Sequence, residues 1–240
     1  MASWSEPMVK LWAALVFLAS LAFAAGPFLV PDFGGFDPNA FPVPQDNPAV
    51  QPAGYAFAIW ALIYLWLLVG TGFGLIKRAD DPDWQPHRKP LFLALAVGAI
   101  WLPAAKLSPL VATVLIWVML IASLIALFRA GDMDRWMQTS PIAMLAGWLS
   151  AAAPVSIGLV LGGYGLLPET PAALVGLAIA LALALVVQYR LHRAPLYGIT
   201  VIWALVAVIV ANTAPLNIAV AGLAGLGIGA ILALRGTDTE

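Results

Sequence analysis

The sequence predicts an all-α integral membrane protein, a bundle of about eight transmembrane helices. Three observations carry the prediction. The 240-residue chain is 62% hydrophobic and only 10% charged, with a mean hydropathy of +0.96. Its apolar runs continue for about 20 residues, the length a helix needs to cross hydrocarbon, where backbone N–H and C=O groups must be satisfied within the segment; a barrel would show short alternating segments instead. The basic residues, lastly, fall in alternate loops. With no cysteine the chain forms no disulfide and has no thiolate ligand or nucleophile. A net charge of −1 without a long basic run gives no electrostatic case for nucleic acid.

Taken in order, the spans are Val9 to Val30, Ala53 to Ile76, Leu91 to Leu107, Leu110 to Phe128, Pro141 to Leu161, Ala172 to Val187, Pro195 to Ala211 and Leu216 to Leu234. The first has a rival reading as a signal peptide, because Leu11 to Ala25 ends in the small-residue pattern Ala22-Phe23-Ala24; cleavage would leave seven spans in unchanged orientation. The second starts after Pro52 and stops at Lys77 and Arg78. Pro103, Lys106, Ser108 and Pro109 separate the third from the fourth by a turn and not a kink, since a lysine near a span end snorkels to the interface at little cost. The fifth follows Arg129 and Arg135, the sixth precedes Arg190, His192 and Arg193, and the last precedes Arg235. Asn212 and Asn217, with Pro215 between them, read as a capped turn before the last span, a broken-helix site being the alternative.

These basic loops, together with Lys77, Arg78, His87, Arg88 and Lys89, lie on one side; the opposite connections hold Asp32, Asp37, Asp46, Lys106 and Glu169. The positive-inside rule puts the basic side and both termini in the cytoplasm. His87 and His192 are expected as solvated loop histidines, far from any outer-leaflet pocket, which argues against axial haem ligation.

The loop from 31 to 51 is long for a compact domain, and such loops are often lids or binding loops. Phe33, Phe36 and Phe41 suit a cover over the outer mouth of the bundle or, equally, an aromatic anchor at the bilayer surface. On the second helix Phe57, Trp60 and Tyr64 are three and four residues apart and share a stripe. On the fifth, Trp148, Ala152 and Ser156 make another, small apart from its tryptophan, which lets a helix or a flat ligand approach closely. Gly70 with Gly74, and Gly225 with Gly229, have the Gly-x-x-x-Gly spacing of close helix contacts, within one chain or across a dimer seam. Val187 to Arg193 matches a loose cholesterol-contact pattern that is common at basic span ends. No phosphate-cradling loop, zinc-binding spacing or hydrolase elbow is present in the sequence.

Pro52-Ala53-Gly54-Tyr55-Ala56-Phe57 with Trp60 and Tyr64 resembles the second-helix signature of the translocator protein family, the tryptophan-rich sensory proteins (TspO/MBR). Ile100-Trp101-Leu102-Pro103 resembles that family's third-helix region, and Gly147-Trp148-Leu149-Ser150-Ala151-Ala152 its fifth-helix stretch. Tyr55 stands where the family usually has tryptophan, Trp60 comes one residue early, Val97 or Gly98 occupies the neighbourhood of a usual asparagine, and Ser156 occupies the position of another. The resemblance implies a five-helix core over 1–162, including the long loop 31–52, and a three-helix extension over 163–240, as in a divergent bacterial branch. It further implies an inner-membrane protein, a homodimer whose surface the added helices could cover or replace, and flat apolar ligands such as porphyrin or haem, with no required cofactor. The residues then expected to line the site are Tyr55, Phe57, Trp60, Tyr64, Trp101, Trp148, Ala152 and Ser156, with Phe33 and Phe36 from above. A ligand-binding sensor or regulator is the leading expectation. A transporter of tetrapyrroles or other apolar molecules comes second, without an inverted repeat to support it, and a porphyrin-modifying enzyme third, without an evident acid, base or metal site. Beyond membrane lipid and an apolar small molecule, no partner is legible.

Overall fold

In a computed structural model that describes residues 6–30 and 35–236, the chain forms eight helices: α1 (Glu6–Leu29), α2 (Ile59–Lys77), α3 (Gln85–Leu107), α4 (Pro109–Arg129), α5 (Thr139–Gly163), α6 (Glu169–Arg190), α7 (Pro195–Ala211) and α8 (Ile218–Gly236). Seven are long and apolar enough to cross a membrane. At 17 residues α7 is shorter; with a rise of about 1.5 Å per residue it reaches roughly 26 Å, just under the ~30 Å of bilayer hydrocarbon. The expected turn between the third and fourth spans is a single residue, Ser108, which ends α3 and caps α4 by accepting a hydrogen bond from Val111 N–H at 3.4 Å, with Pro109 at the first helical position.

The helices arrange as two rings that share α5. One ring runs α1, α2, α5, α4, α3 and back to α1; the other runs α5, α6, α8, α7 and back to α5. A helix with neighbours all round must be apolar all round, and α5 is: every residue from Pro141 to Ala151 is buried. Small residues make the double packing feasible. A Cβ on Gly147 would sit 2.6 Å from the Tyr197 carbonyl oxygen of α7, and one on Gly158 would sit 3.1 Å from the Ala172 carbonyl oxygen of α6. Ser150 adds a polar tie, accepting the Tyr197 hydroxyl proton at 2.9 Å inside the core. After Gly163 the helix stops because Gly165 takes a left-handed conformation, φ +67°, and Leu166 N–H bonds back to the Leu161 carbonyl.

The two Gly-x-x-x-Gly stretches have different surroundings. Gly70 and Gly74 are buried against the Met137 backbone and the Trp84 ring, so the first is intramolecular packing; Gly225 and Gly229 have open space beside them.

At the basic end, charges are paired and tied to backbone. Arg78 meets Asp134 at 2.8 Å, Arg193 meets Asp132 at 2.8 Å, and Trp84 donates to Asp134 at 3.0 Å. Buried Arg88 donates to the carbonyls of Val9, Gly74, Arg78 and Ala79, joining α1 to the end of α2. The expectation for His87 needs correction. It lies in the first turn of α3 and is 2% exposed, its Nδ1 2.9 Å from the Gln138 amide nitrogen, because the 3-10 turn Pro82–Trp84 tucks this part of the chain against the segment that starts α5. His192 is exposed, as expected.

Two stability predictions follow from this packing. Gly147→Leu should push α5 away from α7 and destabilise the protein by about 1–3 kcal/mol, the usual cost of overpacking; an unchanged melting midpoint in detergent would show that the close approach is dispensable. The Arg78 guanidinium holds the Asp134 carboxyl below its ordinary range, so this pair stabilises the fold above the unfolded carboxylate pKa of about 3.9 and ceases to do so as pH falls through the depressed folded value. Asp134→Asn should therefore lower the midpoint at neutral pH, with the gap to the native protein closing in strong acid; a gap independent of pH would assign the loss to something other than the charge.

Candidate functional site: an aromatic chamber with an apolar arm

The chain between α1 and α2 forms a roof. Its described part is pinned along its length: Val43 N–H bonds to the Gly163 carbonyl of α5 at 2.8 Å, Ala49 N–H to the Glu169 carboxylate of α6 at 3.0 Å, and Ala53 N–H to the Ala207 carbonyl of α7 at 3.0 Å. The Asn212 amide, 3% exposed, donates to the Ala49 carbonyl at 2.8 Å. Phe41 and Val50 are buried, Phe41 against Gly163 and Val50 against Gly158, which accounts for glycine at both positions. Of the two roles weighed for this loop, the structure matches the cover. Asn217 meanwhile caps the start of α8, its side-chain oxygen accepting from Val220 N–H at 3.3 Å, as a capped turn requires.

A chamber of about 480 Å³ lies among the helices of the first ring, α1 to α5. The α2 stripe faces it as expected. Trp60 stacks on Tyr64 with centroids 5.4 Å apart and planes at 19°, meets Trp148 of α5 edge-on at 6.1 Å, and Phe57 meets Trp148 at 5.8 Å. Trp101 completes the wall from α3, fixed by a 2.9 Å hydrogen bond from its ring N–H to the Ala112 carbonyl of α4. A second compartment, an arm of about 90 Å³, lies between α5, α6, α7 and α8. Chamber and arm share five lining residues, Phe57, Trp101, Ile116, Trp148 and Ala152. Phe36 lines the arm from above, 6.3 Å from Trp101, and Ser156 lies along it, its hydroxyl donating to the Ala153 carbonyl at 2.6 Å.

Eight of the ten expected residues thus line one or both of these adjoining compartments. Phe33 lies outside the described residues. Tyr55 lines neither compartment and is a correction. It is 46% exposed and packs edge-on against Trp203 of α7 at 5.5 Å. The cause is local: Gly54–Ala58 is a 3-10 turn, where about three residues per turn set Tyr55 and Phe57 on different faces, and Trp203 fixes that turn by donating to the Ala56 carbonyl at 3.1 Å.

Several lining residues went unnoticed in the sequence. Phe23 of α1 touches both Trp60 and Tyr64, at 5.8 and 4.9 Å. Gln51 lines the arm from the roof, and Ala173, Ala180, Ala204 and Val208 line it from α6 and α7. The signal for Gln51 was its place beside the Pro52 motif; the alanines of α6 and α7 have none, since small apolar residues are the common material of helix contacts. Among the described residues no group of three His, Asp or Glu side chains is placed to hold a metal ion, and both histidines belong to the basic end.

Fold and cavity together define a helical membrane bundle with an aromatic chamber among its helices. Family-model comparison identifies the chain as a member of the TSPO-like protein family, matching over residues 43–235. That match covers α2 through α8 and crosses residue 162 without a break. Comparison with curated proteins and with solved structures found no match.

The roof's attachment is testable without any ligand. Asn212→Ala removes the amide that holds Ala49, and a hydrogen bond worth about 1 kcal/mol corresponds to roughly fivefold faster amide exchange over residues 49–53. Exchange in α3 and α4 should not change; acceleration spread evenly over the protein would mean global destabilisation instead.

Proposed function

We propose that this TSPO-like protein is a membrane ligand-binding sensor or regulator that holds a flat apolar molecule, of which a tetrapyrrole is the foremost example, in the aromatic chamber. The observation that carries the reading is the continuous set of ring contacts from Tyr64 through Trp60 and Trp148 to Phe57. Edge-on and stacked rings present π-faces and edges to a planar guest, and contacts of this type add about 0.5–1.5 kcal/mol each beyond area burial. A volume of about 480 Å³ lies in the range of small-molecule sites. Such a guest is held by stacking and shape, for among the described residues the chamber's lining holds only one side chain with a hydroxyl, Tyr64, and no charged side chain. With His87 and His192 at the far end, haem would bind by its ring face and edge and not through a histidine on the iron.

Binding is favoured over passage by what lies toward the basic end. There the core is filled by Leu67, Leu91, Leu95, Ile142 and Leu145, each 2% exposed or less. Through such close packing a tetrapyrrole has no path without a large rearrangement. We place the basic end in the cytoplasm of a bacterial inner membrane, with the roof outside, by the positive-inside rule.

Tryptophan-fluorescence titration of detergent-purified protein with protoporphyrin IX and with haem, corrected for inner-filter absorption, tests the reading. Saturable, competable quenching should weaken at least tenfold in Phe57→Ala/Tyr64→Ala and stay within twofold in Tyr55→Ala, whose ring lies outside the chamber. Absence of saturable quenching by folded protein, or equal weakening in all variants, would reject the tetrapyrrole site.

A further inference from the structure

Away from both compartments, the seam between α6 and α8 opens toward the basic end. The two helices touch where Leu181 packs onto Gly227, and one turn further along α8 a groove of about 720 Å³ begins. Leu185 and Val186 wall it from α6, and Ala230, Ala233 and Leu234 wall it from α8. Small side chains at 230 and 233 leave a gap that larger ones would fill. Tyr189 and Arg190 stand where the groove reaches the basic end of α6. It faces outward from the bundle, for Val186, Tyr189, Arg190 and Ala233 are all exposed. We propose that this groove binds a phospholipid of net negative headgroup charge, with the first methylenes of one acyl chain between α6 and α8 and the phosphate on Arg190. The proposal is independent of what the aromatic chamber holds.

The order of chemistry along the groove is that of a lipid at the bilayer surface. Aliphatic walls give way to a tyrosine ring, a residue type suited to headgroup level, and then to a guanidinium, whose fork matches two phosphate oxygens. From Leu185 to Arg190 the helix rises roughly 8 Å, enough for the glycerol end of a lipid and not for its whole chain. Charge selects the headgroup. At the basic end of the first ring cations meet acids, as Arg78 meets Asp134 at 2.8 Å. Residues 188–197 and 230–236, the described basic end of the second ring, carry Arg190, His192, Arg193 and Arg235 and no acid. Arg193 reaches away to Asp132 at 2.8 Å, and Arg235 donates to the Pro195 carbonyl, so neither brings a negative group to the groove. Its lining holds Arg190 and no carboxylate. A zwitterionic headgroup would set its ammonium beside that arginine with no acid to receive it, and free phosphate would leave the aliphatic walls unused. Basic pockets between transmembrane helices bind anionic headgroups on this logic. Because a lipid chain exchanges one hydrocarbon environment for another, discrimination must come from the headgroup.

The test is native mass spectrometry of the full-length protein in detergent, titrated with dioleoyl phosphatidylglycerol or with dioleoyl phosphatidylcholine, whose chains are identical. The first phosphatidylglycerol should bind at least about fivefold more tightly than phosphatidylcholine, the scale of one basic side chain at an anionic surface. Arg190→Gln should remove that preference, and Ala233→Phe, which fills the groove and keeps every charge, should weaken phosphatidylglycerol by a similar factor. Arg129→Gln loses the same charge at the same end of the bundle, outside the groove, and should leave the preference within roughly twofold of native. Arg190 is exposed, so Arg190→Gln reads the site even where Ala233→Phe fails to fold. Equal retention of the two lipids, equal losses in Arg190→Gln and Arg129→Gln, no effect of a folded Ala233→Phe, or displacement of phosphatidylglycerol by inorganic phosphate or by cholesterol would each overturn the site. None of these outcomes touches porphyrin quenching in the chamber, which is read separately.

Discussion

The structure depends on one helix having no lipid face. α5 is surrounded by helices of both rings, and that is feasible only because its residues are mostly apolar and small where backbones meet, as at Gly147 under the Tyr197 carbonyl and Gly158 under that of Ala172. Between helices in lipid there is no hydrophobic driving force, so close van der Waals approach must hold them together. The same smallness leaves room where neighbouring helices diverge, which is how a single helix both cements two rings and borders a cavity in each. Trp148 stands out on it for size, and its ring closes the chamber where α2 comes nearest.

The second organising element is the roof. Its hydrogen bonds run to α5, α6 and α7, while the rings beneath it belong chiefly to α2, α3 and α5. A loop of this length would be entropically expensive to order without such ties. Phe41 and Val50, seated on glycines of α5, fix its height above the bundle, so packing sets the shape of the cavity that it borders.

Much of this was legible in the sequence for definite reasons. Transmembrane spans announce themselves because the bilayer demands long apolar runs, and the eight helices match the eight expected spans, including the hairpin at Ser108. Helical periodicity placed Phe57, Trp60 and Tyr64 together, and Trp148, Ala152 and Ser156 together. Tyr55 failed because it lies two residues from Phe57, on another side of the turn, and because the ring that it packs against, Trp203, comes from α7, a contact that the local spacing cannot reveal. His87 failed because loop residues near a span end can fold back under the bundle, and nothing in Gln85-Pro86-His87-Arg88 says which carbonyls Arg88 will find. The arm was invisible since it is made of alanines on α6 and α7 whose meeting is a tertiary fact.

The roof has a thermodynamic consequence. Because it touches the cavity through Phe36 and Gln51 and is fastened to the second ring through Glu169, Ala207 and Asn212, its attached and detached states are read from both sides. Any free energy that a guest gains from having the roof attached is returned, by linkage, as extra order at the ends of α6 and α7. Occupancy of a buried site would thereby be expressed at the roof end of the bundle, without any helix having to move.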